Sequence, residues 1–170
     1  MGVDPGATTG WCLWDSESKT VAACGEFAKH LCSVEFIVAL DQTNLAVVEG
    51  FSDVHAGIYP ETVQAAVTCG RLLEFIERRD IKCQEISRME TKRQLELAIR
   101  KEFRVLKDKD VWGALQLLHG PGSADKPRVK KGVEVTPGGV LARVRDHARA
   151  ALAVAVAWHH KFESIAEIKQ

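Results

Sequence analysis

The chain has 170 residues, 46% hydrophobic and 27% charged, which is enough for one domain with a sizeable core and ordinary for a globular protein. Its formal net charge is zero, yet residues 1–77 hold 3 Lys/Arg against 11 Asp/Glu and residues 78–170 hold 20 against 12. No stretch reads as a secretory signal or a bilayer-spanning run, so a cytoplasmic protein without a membrane partner is expected, and the basic second half favours a polyanionic partner such as nucleic acid.

In chain order, "GVD" (2–4), a Gly-rich turn, "WCLWD" (11–15) and "TVAACGEF" (20–27) read as an antiparallel meander of three strands. Three residues are few for a central strand, so a natural start upstream of Met1 is expected. "SVEFIVALDQ" opens on Ser33, a good N-cap, and reads as a helix. "LAVVEG" (45–50) is a short apolar run closed by Glu49 and Gly50, the pattern of a buried central strand. Residues 52–60 read as a loop. "ETVQAAVTCGRLLEFIERR" (61–79) carries Val63, Val67, Gly70 and Leu73 at helical spacing, and Gly70 points to close packing against another element.

"KCQEIS" (82–87) is a further strand. "TKRQLELAIRKEF" (91–103) and "DKDVWGALQLLHG" (108–120) read as helices, with Thr91 and Asp108 or Asp110 as N-caps and Gly120 as a stop. Residues 120–139 hold five Gly, three Pro and four Lys/Arg, the composition of a mobile basic loop. An Ala/Val-rich buried helix is expected over about 140–161. The order predicts one α/β domain over 1–170, a central mixed sheet flanked by helices. Cys12, Cys24, Cys32, Cys69 and Cys83 are odd in number and form no CxxC, which fits free thiols and not a zinc site.

Asp4, Glu49, Asp146 and His147 interrupt apolar stretches. Each has an ordinary reading: Asp4 as a turn residue, Glu49 as a strand exit, Asp146 as a first-turn acid and His147 as a satisfied core histidine. A buried carboxylate is costly unless it is paired or bound to metal. Carboxylates at the ends of adjacent strands, facing a helix with a further ligand, suit Mg²⁺ or Mn²⁺, and two such ions support phosphodiester hydrolysis.

Three motifs carry a resemblance: "GVDPGATTGW" (2–11), "LAVVEGF" (45–51) and "DHARAALAVAVAW" (146–158). In order and spacing the chain resembles the RuvC family of Holliday junction resolvases, within the RNase H-like superfamily, over most of its length. The basic segment at 120–139 looks like an insertion relative to bacterial members and resembles phage-borne ones. The resemblance implies a homodimeric endonuclease with two Mg²⁺ (or Mn²⁺) per active site, which resolves four-way DNA junctions by symmetric paired nicks in a bacterial or phage-infected cell. Asp4 matches the first carboxylate, Glu49 the second, and His147 the position held by Asp or His. Three residues on, where members carry an aspartate, this sequence has Ala150. Positions three apart share a helix face, so one metal ligand is missing and the chain is expected to be inactive or impaired, unless Asp146 substitutes.

The resemblance also implies a DNA surface. Lys92 and Lys109 fall where relatives keep lysines near the scissile phosphate. Arg88, Arg93, Lys107, Lys130 and Lys131 are candidate backbone contacts, which position DNA without reading its sequence. Phe51 and Tyr59 lie where relatives place an aromatic wedge. The helix at 61–78 is the expected dimer seam. Two other readings compete. "DPGATTG" resembles the first phosphate loop of actin-like ATPases and sugar kinases, but 170 residues leave no room for their two domains. A branched-DNA-binding protein without catalysis is the second, although a pure binder has no use for buried carboxylates.

Overall fold

The computed structural model describes all residues except 29–31, 51–59, 120–127, 131–132, 136–139, 142–143 and 169–170. Five strands form one mixed sheet: β1 (Gly2–Asp4), β2 (Thr8–Asp15), β3 (Thr20–Ala28), β4 (Leu45–Gly50) and β5 (Lys82–Ser87). Their spatial order is β3-β2-β1-β4-β5. The meander is antiparallel, while β4 lies parallel to β1 and β5 parallel to β4. The α/β architecture and the five strands are those the sequence predicts, except that β2 begins at Thr8, inside the expected turn, and not at Trp11.

Five helices cover the sheet: α1 (Val34–Asp41), α2 (Pro60–Glu77), α3 (Arg88–Ala98), α4 (Asp108–His119) and α5 (Asp146–Ile168). Side chains alternate across each strand, so neighbouring residues serve opposite faces. Val3, Trp11 and Val48 join Phe36, Leu40, Leu72 and Ile76 of α1 and α2 in one core cluster. Cys12 and Val47 join Leu95 of α3, Leu115 of α4 and residues 151–154, 156 and 157 of α5 in the other. Each large side chain buried this way contributes about 1.5–3 kcal/mol before entropy is charged.

The faces are built differently. The α1/α2 face packs on aromatics: Phe36 is fully buried, with Trp11 edge-on at 6.1 Å and Phe27 tilted at 4.9 Å between centroids. On the α5 face the aromatics Trp14, Phe103, Trp112 and Trp158 are only partly buried, and the closest approach of helix to sheet is made at glycines. A Cβ on Gly2 would collide with the backbone of Ala151 and Ala155, and one on Gly10 with the backbone at His147 and Ala148. Those two glycines, with the alanines of α5, bring the helix axis down onto β1 and β2.

Several boundaries differ from expectation. α3 begins at Arg88 and not at Thr91, because Ser87 is the cap: its Oγ accepts from the Glu90 backbone N–H at 3.1 Å. Thr91 is inside the helix and buried. α5 begins at Asp146, not near 140, and runs on past 161 to Ile168. Asp146 and His147 are exposed, and the buried run starts at Ala148. The 120–139 segment is not all loop: β6 (Arg128–Lys130) pairs with β7 (Val133–Val135) as a small antiparallel hairpin, where Val129, Val133 and Val135 supply β-formers. Gly70 meets nothing within 4 Å, so it packs against no other described part of the chain. Ser33 caps α1 as expected, accepting from Phe36 N–H at 3.2 Å. No disulfide joins any of the five cysteines, and Cys12 and Cys69 are buried. Among the described residues, no helix is long and apolar enough to cross a membrane.

Candidate active site

Asp4 ends β1 and Glu49 lies near the end of β4, the adjacent parallel strand. Both therefore emerge at the carboxyl edge of the sheet, where ligands bind in open α/β folds. Next to Asp4 in the sheet stand Gly10 on β2 and then Glu26 on β3. The first turn of α5 lies over this row. The Glu26 carboxylate accepts from the backbone N–H of His147 at 2.7 Å, satisfying one of the donors a helix leaves open at its start. Gly10 admits the His147 carbonyl. His147 is thus held with Nδ1 3.7 Å from Asp4 Oδ2.

These residues line one cleft of about 690 Å³. Asp4, Glu49, Asp146, His147 and Ala150 all border it, as do Arg88, Lys92 and Lys109. The lining residues that sequence reasoning did not single out for the site include Thr91, Asp108, Trp112 and Arg149. Arg149 stacks over the Trp112 ring at 4.4 Å from its centroid, forming one wall. Thr91 Oγ1 is buried without a hydrogen-bond partner among the described residues.

Arg88, the first residue of α3, reaches into the centre. Its guanidinium donates to Glu49 Oε1 at 3.2 Å and to Asp108 Oδ1 at 2.6 Å. Lys92, one turn further along α3, donates to the Leu106 carbonyl at 2.8 Å and lies 3.8 Å from Asp108. Burial pushes the Glu49 carboxyl up to about 7, and the neighbouring Asp4 charge adds to that rise against the pull of Arg88. Burial likewise raises Asp4 above its ordinary value, opposed by Arg88 and His147. Two half-hidden carboxylates that resist ionising together create a demand for positive charge.

Hard carboxylate oxygens facing an open cleft are the donor type that Mg²⁺ or Mn²⁺ takes. Asp4 and Glu49 fit that role, with His147 beside them. Among the described residues, no three His, Cys, Asp or Glu side chains converge into a formed cage. The Ala150 methyl lines the cleft where a further carboxylate is expected from the resemblance. Asp146 sits at the rim with φ at 41°, and its carboxylate makes no ion pair with a described residue.

The remaining expected DNA residues are scattered. Arg93 pairs with Glu90 at 3.6 Å, and Lys107 is outside the cleft lining. Lys130 lies on the β6–β7 hairpin. Phe51, Tyr59 and Lys131 fall outside the described residues.

Comparison with solved structures agrees with this fold. Thermus thermophilus RuvC matches at a TM-score of 0.54 and 14% identity, covering 96% of this chain and 94% of that one. The T. thermophilus RuvC chain solved in complex with a Holliday junction substrate matches at a TM-score of 0.56 and 14% identity, covering 96% and 93%. The fold is that of RuvC. It is an RNase H-like α/β fold at low sequence identity. The sequence matches no family model and no curated protein.

Proposed function

We propose that this chain is a structure-selective DNA endonuclease that works as a homodimer on four-way (Holliday) junctions, with its cleavage impaired by Ala150. One observation carries the reading: Asp4, Glu49 and His147, remote in sequence, share one cleft with Arg88, Lys92 and Lys109 on a RuvC-like fold. Asp4 and Glu49 are the residues that would hold Mg²⁺ or Mn²⁺. A bound divalent ion supplies an activated water and stabilises the leaving oxygen in phosphodiester hydrolysis. Lys92 and Lys109 face the same cleft and would hold the backbone phosphate, making binding salt-sensitive. The dimer fits α2, whose outward face leaves Val63 47% and Val67 41% exposed beside the open Gly70. A two-fold protein matches a two-fold junction.

The test is a synthetic four-way junction with Mg²⁺ or Mn²⁺, comparing the wild type with Ala150→Asp. Both are expected to bind. The aspartate variant is expected to make paired nicks about a hundredfold faster or more, the scale of restoring one transition-state contact. If neither binds the junction, the reading fails. A second reading, a branched-DNA-binding protein without catalysis, is favoured by Ala150 together with the Arg88–Glu49 ion pair. It predicts tight binding and no nicking by either protein.

A further inference from the structure

The acidic centre already contains a cation. Arg88 lies between two carboxylates on different elements, Glu49 at 3.2 Å on β4 and Asp108 at 2.6 Å on α4. A planar guanidinium suits such bridging, because its donors point in fixed and separate directions. The pair is asymmetric. Glu49 is hidden, with a side chain 12% exposed, whereas Asp108 is 76% exposed. Asp108 therefore shares the guanidinium with Glu49, pulling it toward the outside of the cleft without burying a further charge.

The charge balance of the cleft points the same way. Four carboxylates line it, and four Lys/Arg side chains face them. With all four carboxylates ionised the lining is neutral before any metal arrives, and a proton on Glu49 or Asp4 makes it positive. Two divalent ions would add four positive charges to a site that also lacks a carboxylate at Ala150. One ion is far easier to accommodate.

We propose that Arg88 is a built-in cation of this centre, holding on Glu49 the place of one divalent ion, so that the wild-type chain takes one such ion and not two. The proposal rests on the metal-site reading above. It assigns Arg88 to the centre itself, not to the outlying DNA surface. Arg88 competes with the metal for Glu49, and Asp108 draws the guanidinium outward. Removing Arg88 opens Glu49 to metal. Removing the Asp108 charge leaves Arg88 wholly on Glu49 and closes it further.

The experiment is Mn²⁺ binding to the full chain, read as free Mn²⁺ by electron paramagnetic resonance, with folding checked by thermal melting. The wild type is expected to bind one Mn²⁺ per chain. Arg88→Gln is expected to gain a second ion and to bind about tenfold tighter, the scale expected when a nearby like charge leaves a partly screened site. Asp108→Asn is expected to bind more weakly. Arg88→Lys keeps a charge on Glu49 and stays at one ion. Loss of charge beside any metal site shifts affinity in these directions, so the number of ions bound by the wild type and by Arg88→Gln decides the proposal. Two ions in the wild type, or no second ion in Arg88→Gln, overturn the proposal. Asp4→Asn and Glu49→Gln are the controls. If they leave Mn²⁺ binding unaltered, the metal-site reading itself has failed; if they abolish it while Arg88→Gln does nothing, only the role of Arg88 has failed.

Discussion

The two faces of the sheet solve the same packing problem in opposite ways. Under α1 and α2, bulky groups interlock: Phe36 fills space against Trp11 and Phe27. Under α5, contact is made by absence of side chain, with Gly2 and Gly10 against the helix backbone. The first face holds the fold by volume. The second sets a distance, and that distance brings His147 to Asp4. Stability and site geometry are therefore carried by different faces, and substitutions should separate them.

The largest effects test that separation directly. Phe36→Ala removes a fully buried ring and is expected to cost about 3–5 kcal/mol in denaturant unfolding. It should leave Mn²⁺ affinity and junction binding at their wild-type values below the transition. Gly10→Ala is expected to cost about 3 kcal/mol, since the obstacle is helix backbone and not a flexible side chain. Unlike Phe36→Ala, it should weaken Mn²⁺ binding, because His147 must move away from Asp4. A Gly10→Ala protein as stable as the wild type, with intact metal affinity, would end the distinction.

A smaller effect comes from the site's own charge. Glu49 is raised from its ordinary 4.5 to about 7, so the folded protein keeps a proton that the unfolded chain releases. The stability associated with that proton is full below about 4.5 and is lost as pH rises through about 7. Asp4, also raised, adds in the same direction. Metal-free protein should therefore be less stable at pH 8 than at pH 5, by up to about 3 kcal/mol. Glu49→Gln should flatten the profile, and Mn²⁺ should restore stability at the alkaline end. A flat wild-type profile contradicts the burial of this carboxyl.

The smallest effect lies on the outer surface of the first face. Gly70 is a helical glycine with open space around it. Gly70→Ala is expected to raise stability by about 0.5–1 kcal/mol at low protein concentration. A loss measured there would mean that this part of α2 is tightly covered within a single chain.

The sequence by itself determined the elements and the principal acids. Alternation and β-branched runs marked the strands, Ser33 marked the start of α1, and the placement of Asp4 and Glu49 at strand ends marked the carboxyl edge of the sheet. These are local signals, legible because each depends on a few neighbouring residues. The start of α3 at Arg88 was missed because Thr91 offered an equally good local cap, and α5 was expected too early, near 140, although Asp146 already had a reading as a first-turn acid. Glu26, Arg88 and Asp108 were beyond reach as a set. Glu26 meets His147 across 121 residues, and Arg88 meets Glu49 across 39 and Asp108 across 20. An acid in the middle of a strand and an arginine at a helix start are ordinary surface residues until the sheet order and the close approach of α5 bring their partners to them. Only the tertiary structure decided which charges face each other, because electrostatic pairing depends on distance through space and the chain writes down only distance along itself.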